Sequence, residues 1–231
     1  MRNPTIYTGK NGQNYLEQRK SSQSDYAQSL RASLFRDLAG EGLVILDFGC
    51  GTGGVLKRLP AARRIGVEIG EGAAEAARNE GIEIVVALND LPDACVDVAI
   101  SFHAIEHVDR PLEVLQEIGR VVKPGGCIRI IVPSESPILR GQRSWVLNHD
   151  RHLFTWTPLL FGNLADRAGL QEIAARVAPM PTGSRLVRML SFLPPLAWLA
   201  HLILSLRRNS LNVILDARPA VTSRKEMGSP D

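Results

Sequence analysis

The chain has 231 residues, of which 45% are hydrophobic and 22% charged, which excludes wholesale disorder and suits one globular domain with an appendage. Its net charge of +3 is too small for a nucleic-acid coat. The excess is local, because residues 182–231 carry seven Lys/Arg against three Asp/Glu, a balance of +4. Cys50, Cys95 and Cys127 are odd in number and lie in or beside apolar runs, so they read as small core residues in a reduced compartment. The opening MRNPTIYTGKNGQNY lacks an apolar signal region, and a cytoplasmic location is the expectation.

Residues 1 to 23 are polar and without period, as a flexible arm would be. Tyr26, Leu30, Leu34 and Leu38 recur at one-turn intervals and predict a helix that Gly40 and Gly42 end. Short apolar runs then alternate with helical stretches. Strands are expected at 43–48, 64–68, 82–88, 95–101, 127–132, 170–178 and 211–218. The helices between them fall at 52–59, 71–80, 109–122 and 156–168, the third carrying Leu112, Leu115, Ile118 and Val122 on one face. Strands alternating with helices make βαβ units, whose parallel sheet must be covered on both faces. The segment after Ala220 reads as a disordered tail.

Asp47-Phe-Gly-Cys-Gly-Thr-Gly-Gly54 lies between the first strand and its helix. Glycines there allow a sharp turn and close approach of a ligand to the backbone. Gly49, Gly51 and Gly54 satisfy the dinucleotide spacing G-x-G-x-x-G, with Glu68 placed to bind a ribose, so the loop alone does not separate NAD from other adenosyl ligands. Asp47 does: a carboxylate at the strand end repels a pyrophosphate and favours a cationic ligand carrying ammonium and sulfonium groups.

Val44-Ile-Leu-Asp-Phe-Gly-Cys-Gly-Thr-Gly53 resembles motif I of class I S-adenosylmethionine-dependent methyltransferases, and Arg64-Ile-Gly-Val-Glu68 resembles their second-strand motif. Residues 91–101 resemble the fourth strand, and 105–111 with 119–126 the segment leading into the fifth. The resemblance implies an α/β Rossmann-like seven-stranded sheet of order 3-2-1-4-5-7-6, with strand seven antiparallel and helices on both faces. It assigns residues 1–42 to an arm and helix and 43–220 to the methyltransferase domain, with an apolar insertion near 182–208 and a tail over 221–231. By position, Asp47 and the backbone of Gly49, Gly51 and Gly53 would hold the methionine part of S-adenosyl-L-methionine, and Glu68 the ribose. Ser101 and Phe102 would sit beside the sulfonium. Relatives often place an Asp where Ala87 stands, so the adenine is left to Leu88, or to Asn89 or Asp90.

Four of the five histidines fall in two segments: His103 and His107, with Glu106, after strand four, and His149 and His152 after strand five. Both are carboxyl ends of parallel strands, where open α/β sheets bind ligands. Metal-assisted relatives carry Glu-x-x-Glu-His followed by a later His; here Glu106, His107 and His152 match, and His103 replaces the first Glu. Histidines with one glutamate suit zinc or another transition metal better than magnesium. The preferred reading is a proton-accepting role for His107 or His152 with Glu106; a divalent metal and a purely structural brace are the alternatives.

Residues 189–206 carry no formal charge, are broken by Pro194-Pro195, and are flanked by Arg185, Arg188, Arg207 and Arg208. The segment suits a helix at a membrane interface, a lid over the site or a dimer contact. The expected reaction is O-methylation of a small molecule, glycan or lipid-linked intermediate. An RNA 2′-O-methyltransferase, an NAD-dependent oxidoreductase and a catalytically silent cofactor-binding module are the rivals. Nucleic acid is disfavoured, because a basic stripe with interleaved aromatics is missing.

Overall fold

A computed structural model describes Gly9, Gly12 and residues 24–134, 152–180, 192–208 and 211–220. The readings of an N-terminal arm, of His149, of Arg185 and Arg188 and of the tail lie outside these residues.

Seven strands form one sheet: β1 (Gly40–Phe48), β2 (Ala61–Val67), β3 (Glu83–Val85), β4 (Val96–Phe102), β5 (Val122–Pro133), β6 (Gln171–Pro179) and β7 (Leu211–Arg218). Their order is β3-β2-β1-β4-β5-β7-β6, with β7 antiparallel to both neighbours and the other pairs parallel, as expected. Helices α1 (Asp25–Ala32), α2 (Glu71–Asn79), α3 (Pro111–Val121), α4 (Pro158–Arg167) and α5 (Pro194–Arg208) accompany them.

The central strands are apolar on both faces because both faces are covered. In β1, Leu46 packs in one core with Ile65, Ala99, Leu115, Ile118, Ile130 and Phe161. Its neighbour Ile45 points the other way, to a second core with Ala32, Phe35, Leu56, Leu59, Ala77, Ile82 and Ile100. Successive residues thus alternate between two hydrophobic layers, as the pleat requires.

Local chemistry marks the helix ends. Ser24 caps α1, its Oγ accepting from the Ala27 N–H, and Thr157 caps α4 before Pro158. Gly169, at φ +85°, turns the chain from α4 into β6.

Several expectations need correction. The α1 stripe is not Tyr26, Leu30, Leu34 and Leu38: Tyr26 is exposed, while Gln28, Ala32 and Phe35 are buried. The helix stops at Ala32, and Gly40 opens β1 rather than ending the helix. The predicted helix at 52–59 is a series of turns with one 3-10 turn at Leu56–Arg58, because glycines at 49, 51 and 53 hold positive φ. The strand at 82–88 shrinks to Glu83–Val85, and Leu88–Asp90 is a 3-10 turn in which Asp90 accepts from the Ala87 N–H. On α3 the buried face is Pro111, Leu115, Ile118 and Val121; Val122 already belongs to β5.

All three cysteines are free thiols. Among the described residues no helix is long and apolar enough to cross a membrane.

Candidate functional site

The carboxyl ends of β1, β2 and β4 open into a cavity of about 1170 Å³. Asp47, Phe48, Gly49, Cys50 and Gly51 form its floor, Glu68 to Ala73 one wall, and Val86 to Asn89 the next. Phe102, His103, Ala104 and His107 close the far side, with Gln28 and Arg31 from α1.

The glycines divide into two kinds. A Cβ on Gly49 would lie 2.4 Å from the Cβ of Ala104, and one on Gly53 2.2 Å from Ile82 Cδ1. Gly53 does not line the cavity; it lets the loop pack against the β3 side of the molecule. Gly51, at φ +55°, has nothing within 4 Å of the position its Cβ would take, so its backbone borders open cavity space.

Two carboxylates flank that loop. Glu68 accepts from the Gly51 N–H through Oε2 (2.9 Å) and from the Gly70 N–H through Oε1 (2.6 Å), which ties the end of β2 to the loop. Asp47 is buried at the end of β1, and burial with the Glu68 charge nearby pushes its carboxyl up to about 8. Burial and the same two carboxylates push the Cys50 thiol up as well, so it is an inert packing group. A cation entering between Asp47 and Glu68 favours the ionised form of Asp47 and displaces its proton.

Ser101 is not on the cavity surface. Its hydroxyl is buried and donates to the Phe48 carbonyl (2.8 Å), joining β4 to β1 beneath the floor. Phe102 does reach the cavity, its ring stacked on His103 with centroids 4.2 Å apart and the Arg31 guanidinium 5.2 Å over its face. Leu88 lines the cavity with Ala87 and Asn89, whereas the Asp90 carboxylate is engaged by the Ala87 backbone.

The histidines separate into two groups. His103, at φ +52°, hydrogen-bonds through Nε2 to Asn212 Oδ1 (2.8 Å), and burial holds it down to about 4, so it is neutral and donates that bond. It is therefore not grouped with the three residues that share the other cluster. Glu106 is fully buried, with Oε1 3.8 Å from His107 Nε2 and 3.9 Å from His152 Nε2. The two imidazoles meet edge to face at 4.8 Å. His152 reaches this place because the Leu153 and Phe154 N–H groups both donate to the Glu106 carbonyl. Ligand atoms of Glu106, His107 and His152 lie within 4.8 Å of one another, close enough to share one ion or one proton. Of the three, only His107 lines the cavity.

Gln28 and Arg31 were not singled out from the sequence. The one signal is Gly54, where a Cβ would lie 2.6 Å from the Gln28 side chain, but that needs the fold to be seen.

Residues 46–130 match the methyltransferase domain family. A tRNA (carboxymethyluridine(34)-5-O)-methyltransferase from Arabidopsis thaliana is 30% identical over 60% of this chain, and a malonyl-[acyl-carrier protein] O-methyltransferase from Yersinia pestis is 31% identical over 51%. The chain spans 33% of the length of the first and 47% of the second. Among solved structures, a chain in the complex of the Haloferax volcanii Trm112 methyltransferase activator with a methyltransferase superposes with a TM-score of 0.67. It is 18% identical, over 89% of this chain and 95% of that one. The loop after β1, the strand order and the match over residues 46–130 agree on a methyltransferase domain with a seven-stranded Rossmann-like fold.

Proposed function

We propose that this protein transfers a methyl group from S-adenosylmethionine to an oxygen of a small-molecule, glycan or lipid-linked acceptor. The observation that carries the reading is one cavity with two unlike ends: the buried Asp47 and the Glu68 carboxylate beside the Gly51 backbone at one, His107 at the other. When bound, the cofactor supplies an electrophilic methyl on a sulfonium.

The chain's own residues do the rest. Asp47, on giving up its proton, offers a desolvated carboxylate to the cofactor's ammonium, and Gly49 and Gly51 let its methionine part approach the backbone. Glu68, fixed by two N–H donors, takes the ribose hydroxyls, and Leu88 and Asn89 flank the adenine. Ser101 and Gly53 support this site from beneath. The Phe102 ring excludes water near the reacting carbon, which matters because displacement needs the nucleophile aligned at about 3–3.5 Å. His107 accepts the acceptor's proton, and the buried Glu106 behind it stabilises the resulting imidazolium, with His152 bracing the pair. The same three side chains could hold a transition-metal ion instead, since their ligand atoms converge, but the proton route uses the one histidine of the three that faces the cavity.

RNA is the second reading, and the Arabidopsis relative favours it. Against it, the cavity is bordered by Asp47, Glu68, Glu71, Asp109, Glu113 and Glu117, with only Arg31 and Arg110 in opposition among the described residues, a poor match for a phosphate backbone. Incubation with methyl-labelled S-adenosylmethionine and separate pools of phenols, glycans, polar lipids and tRNA tests both. Label in a non-RNA pool, with kcat reduced about 100-fold in His107→Ala and cofactor affinity kept, is the expected result. Label in tRNA alone would replace this reading with the second.

A further inference from the structure

α5 carries an apolar face that no other part of the described chain covers. Phe192 is 75% exposed, Leu193 43%, Leu196 46%, Leu199 45% and Ile203 44%. Leu196, Leu199 and Ile203 follow one stripe of the helix; Ser205 on the opposite side is buried, and so is Ala200 at the edge of the stripe. Single exposed leucines are ordinary, but five large apolar side chains within residues 192–203 form a patch that marks an interaction surface.

The pattern of charge says what that surface meets. Residues 189–206 are uncharged, Arg185 and Arg188 precede them, and Arg207 and Arg208 close the helix. At 15 residues α5 is about 22 Å long, against about 30 Å for a bilayer's hydrocarbon core, so it is too short to cross one. An uncharged apolar helix that ends on the Arg207-Arg208 pair matches a layer of anionic headgroups over an apolar interior.

The helix is also joined to the site. Ser205 Oγ donates to the Met180 carbonyl (3.3 Å), and Asn212, just past α5, donates through Nδ2 to Met180 Sδ (3.3 Å). The same Asn212 holds His103, which lines the cavity.

We propose that the exposed face of α5 seats this protein on an anionic lipid bilayer. Adsorption to lipid stands apart from the methyl-transfer reading and is measured without catalysis.

The test is co-sedimentation of the full chain with phosphatidylcholine vesicles and with vesicles containing phosphatidylglycerol. The chain is expected to sediment with the anionic vesicles and to be released by salt. Leu196→Asp/Leu199→Asp should weaken binding roughly tenfold or more, and Arg207→Gln and Arg208→Gln about fivefold each at low salt. Melting temperature and circular dichroism, unchanged in these surface variants, exclude unfolding as the cause. A chain that stays in the supernatant with anionic vesicles overturns the proposal, and so does a dimer that Leu196→Asp/Leu199→Asp dissociates while lipid binding is absent. Failure to bind S-adenosylmethionine with lipid binding intact would remove the methyl-transfer reading and leave the docking surface standing.

Discussion

The two ends of the cavity are built in different ways. The floor with Asp47, Gly49, Gly51 and Glu68 comes from the ends of adjacent parallel strands and is fixed by backbone turns and two N–H···O bonds to one carboxylate. The opposite wall gathers Arg31 from α1, His107 after β4 and, behind it, His152 after β5, held by a stacked ring and by backbone bonds from a distant segment. The first is a local device that any chain with this turn reproduces. The second depends on three separate connections arriving together, and that is where a fold of this kind varies its acceptor.

The sharpest break of the local device is Gly53→Val. Its Cβ has no room beside Ile82 and Ala77, and its φ of +75° is hostile to a branched side chain. Loss of about 3–5 kcal/mol in denaturant unfolding is expected, large enough to threaten folding itself. Gly51→Ala provides the contrast. Space is open there, so stability should fall by only about 1 kcal/mol, while cofactor affinity drops because the added carbon intrudes on the cavity.

Asp47→Asn separates binding from stability. Affinity for S-adenosylmethionine should fall roughly 10- to 100-fold, the loss of one desolvated charge pair. The ligand-free protein should become more stable, by roughly 1–3 kcal/mol near pH 8. The sign follows from its raised carboxyl: the folded state keeps a proton up to about 8 that the unfolded chain gives up near 3.8, so stability drains as pH rises between the two, and the amide removes that drain. Urea unfolding at pH 5 and pH 8 reads the difference. In the wild-type protein, cofactor binding at pH 7 should release a proton, seen as a binding enthalpy that changes with the buffer's ionisation heat.

A smaller effect belongs to the opposite wall. His103 stays neutral down to about 4, whereas the unfolded chain takes a proton near 6.5, so its contribution is intact above 6.5 and is lost as pH falls towards 4. His103→Gln should flatten the acid limb of the stability profile by about 1–2 kcal/mol, followed by chemical unfolding from pH 7 to pH 4.

These contrasts explain what the sequence made legible. The glycine loop was readable because it rests on residues within a few positions of one another; alternation of apolar runs gave only a parallel sheet, and its strand order followed from the resemblance of the motifs. Glu68 was read from its own motif at the end of the second strand, and its carboxylate lies on the Gly51 N–H. The placement of Ser101 was not, since its polarity at a strand end is the same whether it faces a ligand or a neighbouring carbonyl, and only the register with Phe48 decides. The helix expected over 52–59 failed because its apolar spacing competes with a run of left-handed glycines, and backbone geometry won. His103 was grouped with Glu106 and His107 by proximity in sequence, yet a left-handed backbone and Asn212, 109 residues away, turn it aside. Gln28 and Arg31 were invisible because nothing local to α1 says which side of the helix meets a cavity made by other strands.

The central claim is that the carboxylates Asp47 and Glu68, with the glycine backbone, make a site for a cationic adenosyl ligand. Calorimetric titration of the purified chain with S-adenosylmethionine, S-adenosylhomocysteine and NAD tests it most directly. Selective binding of the two adenosyl-sulfur ligands is expected, with S-adenosylmethionine affinity reduced roughly 10- to 100-fold in Asp47→Asn. Binding of NAD in their place, or affinity for S-adenosylmethionine unchanged by Asp47→Asn, would contradict it.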